Sequence, residues 1–386
     1  MKVSPNILGG GYATLVLFLW TSVAMDYQNG IHRTIVCIGD RKLELNKIIL
    51  RLIFLVLGFM AAFRGMDITN DTAAYYRTYQ KIAYSGFAGE TRMEIGYVAL
   101  NVFLTHIFQD TLVGFHVLLF VTSVFSYWAL EQWIERHAIT YGICAVTFYF
   151  LSNQSYMSAI RQSVAVGFIL WALMALEDLN GRKRYIVYAL LIGFATLFHK
   201  TAVVALIFPF FMKRKYTRNT TWLLMLITLV ATLTNIVSSV ISILGLGTGY
   251  VTTEIGNAVN VGVVSLLYFA LLLLRLICDN SSYIMDEGAT DIEKPAYGDS
   301  FYTYCIALSL AVTIMSLRAA GMSRLNMYLQ LVGLPYVSNI MRRIENQKVA
   351  FVVKVVFSMA IWCYSVIALI YRPEWQHIWP YHFYWQ

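Results

Sequence analysis

Charged residues are scarce in this sequence. They make up 13% of the chain, whereas a soluble domain carries about 25%. The hydrophobic residues, 59% of the total, occur in long blocks separated by short polar segments. The ten-residue segments of alternating polarity that are typical of membrane β-barrels are absent. These features predict an all-α, polytopic membrane protein in which residues 1–386 form a single integral membrane domain.

Cysteine is equally sparse and follows no pattern. The five cysteines show no CxxC spacing, so neither a disulfide framework nor a zinc site is indicated. The sequence also has no HExxH, Walker or GxSxG motif, and no DxD-like metal pair at a predicted membrane face. We therefore expect a reaction that uses no metal and no other cofactor.

The net charge of +8 would suggest nucleic acid only if the basic residues clustered on a soluble face. Here the lysines and arginines lie between apolar blocks, so their first role is to orient membrane spans. No nucleic-acid partner is expected, and membrane lipids are the expected surroundings of the chain.

The apolar blocks predict a bundle of about 10–12 transmembrane helices, beginning with a retained span from Gly9 to Met25. Val98 to Phe108 is too short to cross a bilayer comfortably, and the segments between Tyr185 and Met212 are also short. We expect re-entrant or kinked helices there. Residues 64–97 form a predicted external polar loop with interfacial helices, and residues 279–299 form a predicted acidic cytoplasmic loop.

The stretch from Asn153 to Ala202 sets the expected orientation. It contains two apolar runs joined by a basic turn at Arg182-Lys-Arg184. If both runs cross the bilayer, the positive-inside rule places this turn in the cytoplasm. Arg161 and His199, at the other ends of the two runs, then lie together on the outer face.

The polar groups predicted at the outer face combine phosphate-binding and proton-accepting side chains. The planar guanidinium of arginine suits phosphate oxygens, and a nearby carboxylate or imidazole can remove a proton from a hydroxyl. Together they indicate a transferase whose leaving group is a lipid-linked pyrophosphate. The groups include four arginines near span ends, two carboxylates and a His-Lys pair: Arg64, Arg161, Arg318, Arg324, Asp71, Glu94, His199 and Lys200.

Each of these residues also has a simpler explanation. An arginine at a helix end can snorkel to lipid phosphates, and Asp71 can be the N-cap of the helix that follows it. Glu94 can pair with Arg92 or Lys81, and His199 can be hydrogen-bonded in a packed interior. A His-Lys pair that interrupts an apolar run is costly in lipid, which favours a functional role for His199.

The order of several short motifs resembles that of the EpsG-like family, whose members are polytopic exopolysaccharide and O-antigen polymerases of the Wzy type. The resemblance extends from about residue 58 to the aromatic end of the chain. The motifs are Arg64, Asn70-Asp-Thr-Ala-Ala-Tyr-Tyr76, Glu94-Ile-Gly-Tyr97, Arg161-Gln162, Phe198-His-Lys-Thr-Ala202, and Arg318 before an apolar helix.

The resemblance implies a bacterial inner-membrane glycosyltransferase that joins oligosaccharide repeats linked to undecaprenyl pyrophosphate at the periplasmic face. The growing chain would pass from its lipid to a hydroxyl of the incoming lipid-linked repeat. A chain-length regulator would be a further protein partner.

The matching positions supply the expected site residues, which should converge in one hollow beneath the outer headgroups. The catalytic residues would be His199, Asp71, Glu94 and Arg161, with one of the first three as general base. The substrate-binding residues would be Arg64, Arg318, Arg324, Gln162, Lys200, Tyr75, Tyr76 and Tyr97, the tyrosines by stacking on sugar rings.

Two other classes of protein would share these features. An O-antigen ligase also uses outer-face arginines and a histidine, and a polysaccharide acyltransferase is a related alternative. A flippase or transporter of the same lipid-linked sugar would show repeated halves with matching broken helices, and the sequence has no convincing internal repeat.

Overall fold

The structure is a computed structural model that describes residues 16, 19–24, 35–38, 41–89, 93–234, 236, 239, 255–280, 298–318, 321–371, 377–378 and 380–386. A short antiparallel hairpin, β1 (Ile35–Ile38) and β2 (Arg41–Glu44), pairs Ile35 with Glu44 and precedes the helices. The helices are α1 (Leu45–Ala62), α2 (Thr72–Ser85), α3 (Ile95–Ile107), α4 (Thr111–His137), α5 (Gly142–Leu151), α6 (Asn153–Ser158), α7 (Ile160–Asp178), α8 (Gly181–Phe198), α9 (Phe208–Met212), α10 (Arg218–Leu233), α11 (Ile255–Asn280), α12 (Asp299–Met315), α13 (Met322–Val332), α14 (Pro335–Arg342) and α15 (Gln347–Tyr371). Two 3₁₀ helices cover Gly86–Gly89 and Lys200–Ile207.

The prediction of an all-α polytopic membrane bundle is confirmed. Within the described part of the chain, five helical segments are long and apolar enough to cross a membrane: Leu45–Ala62, Thr111–His137, Ile160–Asp178, Ala258–Cys278 and Gln347–Tyr371. Five shorter apolar helical segments accompany them: Ile95–Ile107, Gly142–Leu151, Lys200–Met212, Arg218–Leu233 and Asp299–Met315. Of the predicted first span and the acidic loop, most residues lie outside the described part.

The chain divides into two compact units. The first contains Met1–Arg136, Thr140–Val203 and Gln347–Gln386, and the second contains His137–Ile139 and Val204–Asn346. All the expected site residues belong to the first unit except Arg318 and Arg324.

Ion pairs define one end of the first unit. Arg51 near the start of α1 hydrogen-bonds both carboxylate oxygens of Glu135 near the end of α4, so these two helices run antiparallel. Arg136, at the end of α4, pairs with Asp178, the last residue of α7, at 2.9 Å, so α4 and α7 run in the same direction. The start of α7 therefore lies at the other end of the first unit, together with the end of α1.

The second unit is organised around α12, which contacts α10, α11, α13 and α14. Buried polar contacts join these helices. The Tyr268 hydroxyl donates to Gln330 Oε1 at 2.8 Å, and Asn326 Nδ2 donates to Thr313 Oγ1 at 3.0 Å. Such contacts keep polar side chains paired within an apolar helix bundle.

The short segments differ in detail from the predicted bounds. Helix α3 begins at Ile95 and its 13 residues extend about 20 Å, less than the thickness of a bilayer's hydrocarbon core. The segment after His199 is a 3₁₀ helix rather than a continuous α-helix, as expected for a broken element. The basic residues Arg182 to Arg184 occupy the first turn of α8 instead of a loop. Because the N-terminus of a helix disfavours positive charge, something other than helix stability accounts for their position.

Candidate functional site

Arg161 and Glu94 form an ion pair in the first unit. Arg161 Nη1 donates to Glu94 Oε2, and the two side chains are only 18% and 14% exposed. The Arg161 guanidinium also faces Tyr75, whose hydroxyl lies 3.4 Å from Nε and whose ring centre lies 5.9 Å from Cζ. Glu94 is thus paired with a residue that lies 67 positions away in the sequence. The pair connects the start of α3 to the start of α7.

The other oxygen of Glu94 faces the end of α8. The backbone N–H of Lys200 donates to Glu94 Oε1 at 3.4 Å. Close packing of α3 on α8 makes this approach possible, since a Cβ atom added to Gly96 would lie 2.8 Å from the carbonyl oxygen of Leu197. One carboxylate therefore joins Arg161 to the residue that follows His199.

His199 is the C-cap of α8 and is only 5% exposed. Its Nδ1 lies 2.7 Å from the Thr201 hydroxyl. The simpler explanation, a hydrogen-bonded histidine in a packed interior, describes this environment.

The start of α7 has the features of an anion-binding helix terminus. The backbone breaks at Ala159 (φ −88°, ψ 65°) between α6 and α7, and this N-cap residue, an alanine, makes no side-chain capping bond to the first turn of α7. The first N–H groups of a helix have no partner within it, and the helix dipole adds partial positive charge there. Arg161 lies in this same first turn, so its guanidinium and the helix terminus reinforce each other as a site for phosphate.

Asp71 occupies the N-cap position of α2, but its side chain makes no capping hydrogen bond. It accepts instead from the Ser158 hydroxyl at 3.1 Å, across 87 positions of sequence. Asp71 is exposed, and Ser158 is the last residue of α6, just before the break that leads to Arg161. An accessible carboxylate is thereby attached to the same helix junction as the arginine.

Arg64 follows α1 and is fully buried, with 1% of its surface exposed. Its Nε donates to Thr72 Oγ1 at 2.8 Å, and its Nη1 donates to the carbonyl oxygen of Ala61 at 2.7 Å, whereas Nη2 has no hydrogen-bond partner among the residues that the structure describes. Burial lowers the pKa of the guanidinium below its ordinary value. Unlike Arg161, Arg64 therefore lies within the protein, between α1 and α2.

The predicted sugar-stacking tyrosines form part of an aromatic core beneath these groups. Tyr75 and Tyr97 pack edge to face with their centroids 5.6 Å apart, and Tyr97 is completely enclosed. Tyr76 is partly buried, and its ring packs on Phe115 at 5.2 Å. Tyr75, next to Arg161, is thus the tyrosine most directly connected to the ion pair.

The remaining expected residues lie in different places. Gln162 is buried beside Arg161, with 3% of its surface exposed. Arg318 and Arg324 are exposed residues of the second unit, where Arg318 Nε donates to the carbonyl oxygen of Thr232 at 2.9 Å. The convergence of these two arginines with Arg161 and His199 stays a prediction.

Several residues at this site were missed by the sequence analysis. They are the hydroxyl partners Thr72, Ser158 and Thr201 and the C-terminal residues His377, Tyr381 and His382. Thr72, Ser158 and Thr201 each lie within three residues of a predicted site residue, which is the one signal that the sequence offered. The described residues contain no group of three or more His, Cys, Asp or Glu side chains that could hold a metal ion.

Comparison with known proteins gives one match. A family model described as the EpsG family matches residues 47–383, a range that includes all the candidate site residues. Searches of the curated proteins and of the solved structures found no similar protein.

Proposed function

Because this chain belongs to the EpsG family, we propose that it is a membrane-embedded glycosyltransferase that polymerises oligosaccharide repeats carried on a lipid pyrophosphate. The family suggests a role in polysaccharide biosynthesis, with lipid-linked saccharides as substrates. The observation that carries the more specific proposal is the junction of α6 and α7. It holds a positioned arginine in the first turn of a helix whose N-cap residue is an alanine, beside an accessible carboxylate.

In the proposed reaction a hydroxyl of the acceptor repeat attacks the anomeric carbon of the donor sugar. The new bond joins the acceptor oxygen to that carbon, and the bond from the same carbon to the lipid pyrophosphate breaks. Asp71 accepts the proton of the hydroxyl, and the departing lipid pyrophosphate retains the electron pair of the broken bond. Arg161 and the first turn of α7 stabilise the negative charge that develops on the leaving group.

Glu94 has a positioning role in this proposal. Both Glu94 oxygens are already engaged, one by Arg161 and the other by the Lys200 N–H. Glu94 is therefore less suited than Asp71 to accept a proton. His199 is the second candidate for the general base, because it immediately precedes Lys200, whose N–H contacts Glu94.

The other predicted residues complete the proposed site. Arg64 fixes the loop that bears Asp71, because it bonds Thr72 and the end of α1. Arg318 and Arg324 would supply further positive charge for the pyrophosphates. Tyr75 and Tyr76 would contact sugar rings, and Gln162, Lys200 and Tyr97 would line or support the site.

We further propose that this end of the first unit faces the periplasm and that the lipid carrier is undecaprenyl pyrophosphate. The basic first turn of α8 lies at the opposite end of the α7–α8 hairpin and would be cytoplasmic by the positive-inside rule. A chain-length regulator would act as an additional partner.

The direct test is in vitro polymerisation of a defined lipid-linked repeat, scored as a ladder of products. The wild-type chain should give a ladder of long products. Asp71→Asn should slow polymerisation by about 100-fold or more, because loss of a general base typically costs that much. Asp178→Asn removes an exposed carboxylate at the other end of α7 and is the matched control, with activity near that of the wild type.

The outcomes separate the alternatives. If Asp71→Asn produced full-length polymer and His199→Gln produced none, His199 would be assigned as the general base. In cells, loss of a polymerase leaves the lipid capped with one repeat, whereas loss of a ligase leaves long polymer on its carrier lipid. If the deletion strain accumulated long polymer on the carrier lipid, the protein would be a ligase and not a polymerase.

A further inference from the structure

The last residues of the chain attach to the loop between α1 and α2. The C-terminal tail, defined here as residues 377–378 and 380–386, accepts hydrogen bonds from Gly65 N–H at the His382 carbonyl (3.0 Å) and from Thr69 N–H at the His377 carbonyl (2.8 Å). In return Tyr384 N–H donates to the carbonyl of Phe63 at 3.1 Å. These bonds, with the β-bridge of Arg64 to Phe383, extend over most of the loop that precedes Asp71.

Side chains add to this backbone pairing. His382 Nε2 lies 2.7 Å from Asp67 Oδ1, and the Tyr381 hydroxyl donates to the carbonyl of Met60. The His382 ring packs so closely on the loop that a Cβ atom at Gly65 would lie 2.5 Å from Nε2. The Tyr384 ring lies 3.9 Å from that of His116, near the start of α4. The tail thus contacts the loop, the end of α1 and the start of α4.

The attachment coincides with unusual backbone geometry. Over the ranges that the structure describes, the two non-glycine residues with positive φ are Thr69 (63°) and His377 (42°). These two residues are hydrogen-bonded to each other. A β-branched residue such as threonine rarely adopts positive φ, and such a conformation persists only where its surroundings impose it. The tail provides that constraint at Thr69.

The constrained turn leads directly to the candidate site. Thr69 Oγ1 lies 2.9 Å from Thr72 Oγ1. The Thr72 hydroxyl donates a hydrogen bond to the Ile68 carbonyl and accepts one from Arg64 Nε. Asp71 lies between these threonines in the sequence. A change in the Thr69 turn would therefore move the carboxylate relative to Ser158 and Arg161.

We propose that the C-terminal tail is a positioning element of the candidate site, which holds the Thr69 turn and thereby the location of Asp71. This inference rests on the proposed role of Asp71 in the reaction. The tail touches the loop and not the reacting atoms, so its residues are positioning residues rather than catalytic ones.

The test uses the full-length chain with Gly65→Ala, whose added Cβ atom would collide with the His382 ring. Gly193→Ala is the matched control, because a Cβ atom there meets no neighbouring atom within 4 Å. Amide hydrogen exchange of peptides covering residues 63–72 should rise by about tenfold in Gly65→Ala and stay unchanged in the control. The double variant Gly65→Ala/His382→Ala removes the obstructing ring and should return toward the wild-type rate.

A second variant weakens the tail without adding an atom at Gly65, by removing one backbone hydrogen bond together with the Tyr384 ring that packs on His116. Tyr384→Pro deletes the N–H that donates to Phe63 and should raise exchange in the same peptides. In the polymerisation assay, both single variants should lower kcat by about tenfold while KM changes by less than about threefold, since Arg161 is untouched. Restored kcat in the double variant identifies a positioning effect rather than general loss of structure.

Unchanged exchange in both Gly65→Ala and Tyr384→Pro would overturn the proposal. So would faster exchange with an unchanged kcat, because the turn would then be independent of the reaction. A wild-type chain without polymerase activity would count against the proposed function. The attachment of the tail to the loop would still be tested, because the exchange measurement needs no substrate.

Discussion

The two ends of the first unit both carry ion pairs, but in different surroundings. At one end, each ion pair has one side chain that is more than half exposed: Arg51 (53%), which pairs with Glu135 (15%), and Asp178 (57%), which pairs with Arg136 (36%). At the other end, Arg161 and Glu94 are both less than 20% exposed, and Arg64 is fully buried. Exposed pairs contribute little, because water and salt screen them.

This difference indicates where charge has a purpose beyond solubility. Removing a charge from water is costly, so a buried arginine persists only where its environment is built to hold it. Glu94, Tyr75 and the first turn of α7 form such an environment around Arg161. The Arg136 side chain is 36% exposed, compared with 18% for Arg161. Matched substitutions at the two ends can test this contrast.

The largest expected difference is in activity. Arg161→Ala should slow polymerisation by about 100- to 1,000-fold, the typical cost of losing a group that stabilises transition-state charge. Arg136→Ala should change the rate by less than about threefold, because its exposed pair is far from the site. Initial rates with a lipid-linked repeat measure both. Equal rates for the two variants would remove Arg161 from the mechanism.

The next difference is in stability. Glu94→Gln should destabilise the protein by about 1–3 kcal/mol, because it leaves the half-buried Arg161 without its counter-charge. Glu135→Gln should cost less than about 1 kcal/mol, since its partner Arg51 is half exposed and can be solvated. Thermal unfolding in detergent provides the comparison. If both variants melt at the same temperature, the Arg161–Glu94 pair is no more enclosed than a surface pair.

The smallest difference concerns helix packing. Gly96→Ala should destabilise by about 1–2 kcal/mol, because the added methyl group would press on the Leu197 carbonyl and separate α3 from α8. Gly193→Ala, also in a helix but with open space around it, should be neutral or slightly stabilising. The same thermal measurement applies. A neutral Gly96→Ala would show that α3 can shift without cost and that Glu94 is not held by this contact.

The sequence was informative about some parts of this site and silent about others. Arg161, His199 and Glu94 could be selected because charged groups at the ends of apolar runs are costly. Their mutual arrangement could not, since Glu94 pairs with a residue 67 positions away. Asp71 is a further example. Local sequence allowed an N-cap, and Asp71 occupies that position, but its side chain accepts a hydrogen bond from the Ser158 hydroxyl of a distant helix instead of capping α2.

The C-terminal aromatic residues show the same limit. Aromatic residues of this kind commonly anchor at the membrane interface, because amphipathic rings prefer the headgroup region. The structure places Tyr381 and Tyr384 against the end of α1 and the start of α4, with backbone bonds to the loop before Asp71. Backbone pairing depends little on side-chain identity, so residue types gave no indication of it.

The sequence by itself determined that this is a helical membrane protein, because runs of apolar residues leave the chain no other favourable environment. It also determined the order of motifs that identifies the family. Tertiary structure alone decided that Glu94 joins Arg161 to the end of α8, that Arg64 is buried and that the tail holds the Thr69 turn. Hydrophobic patterning acts locally along one helix, whereas each of these contacts depends on which helices pack together.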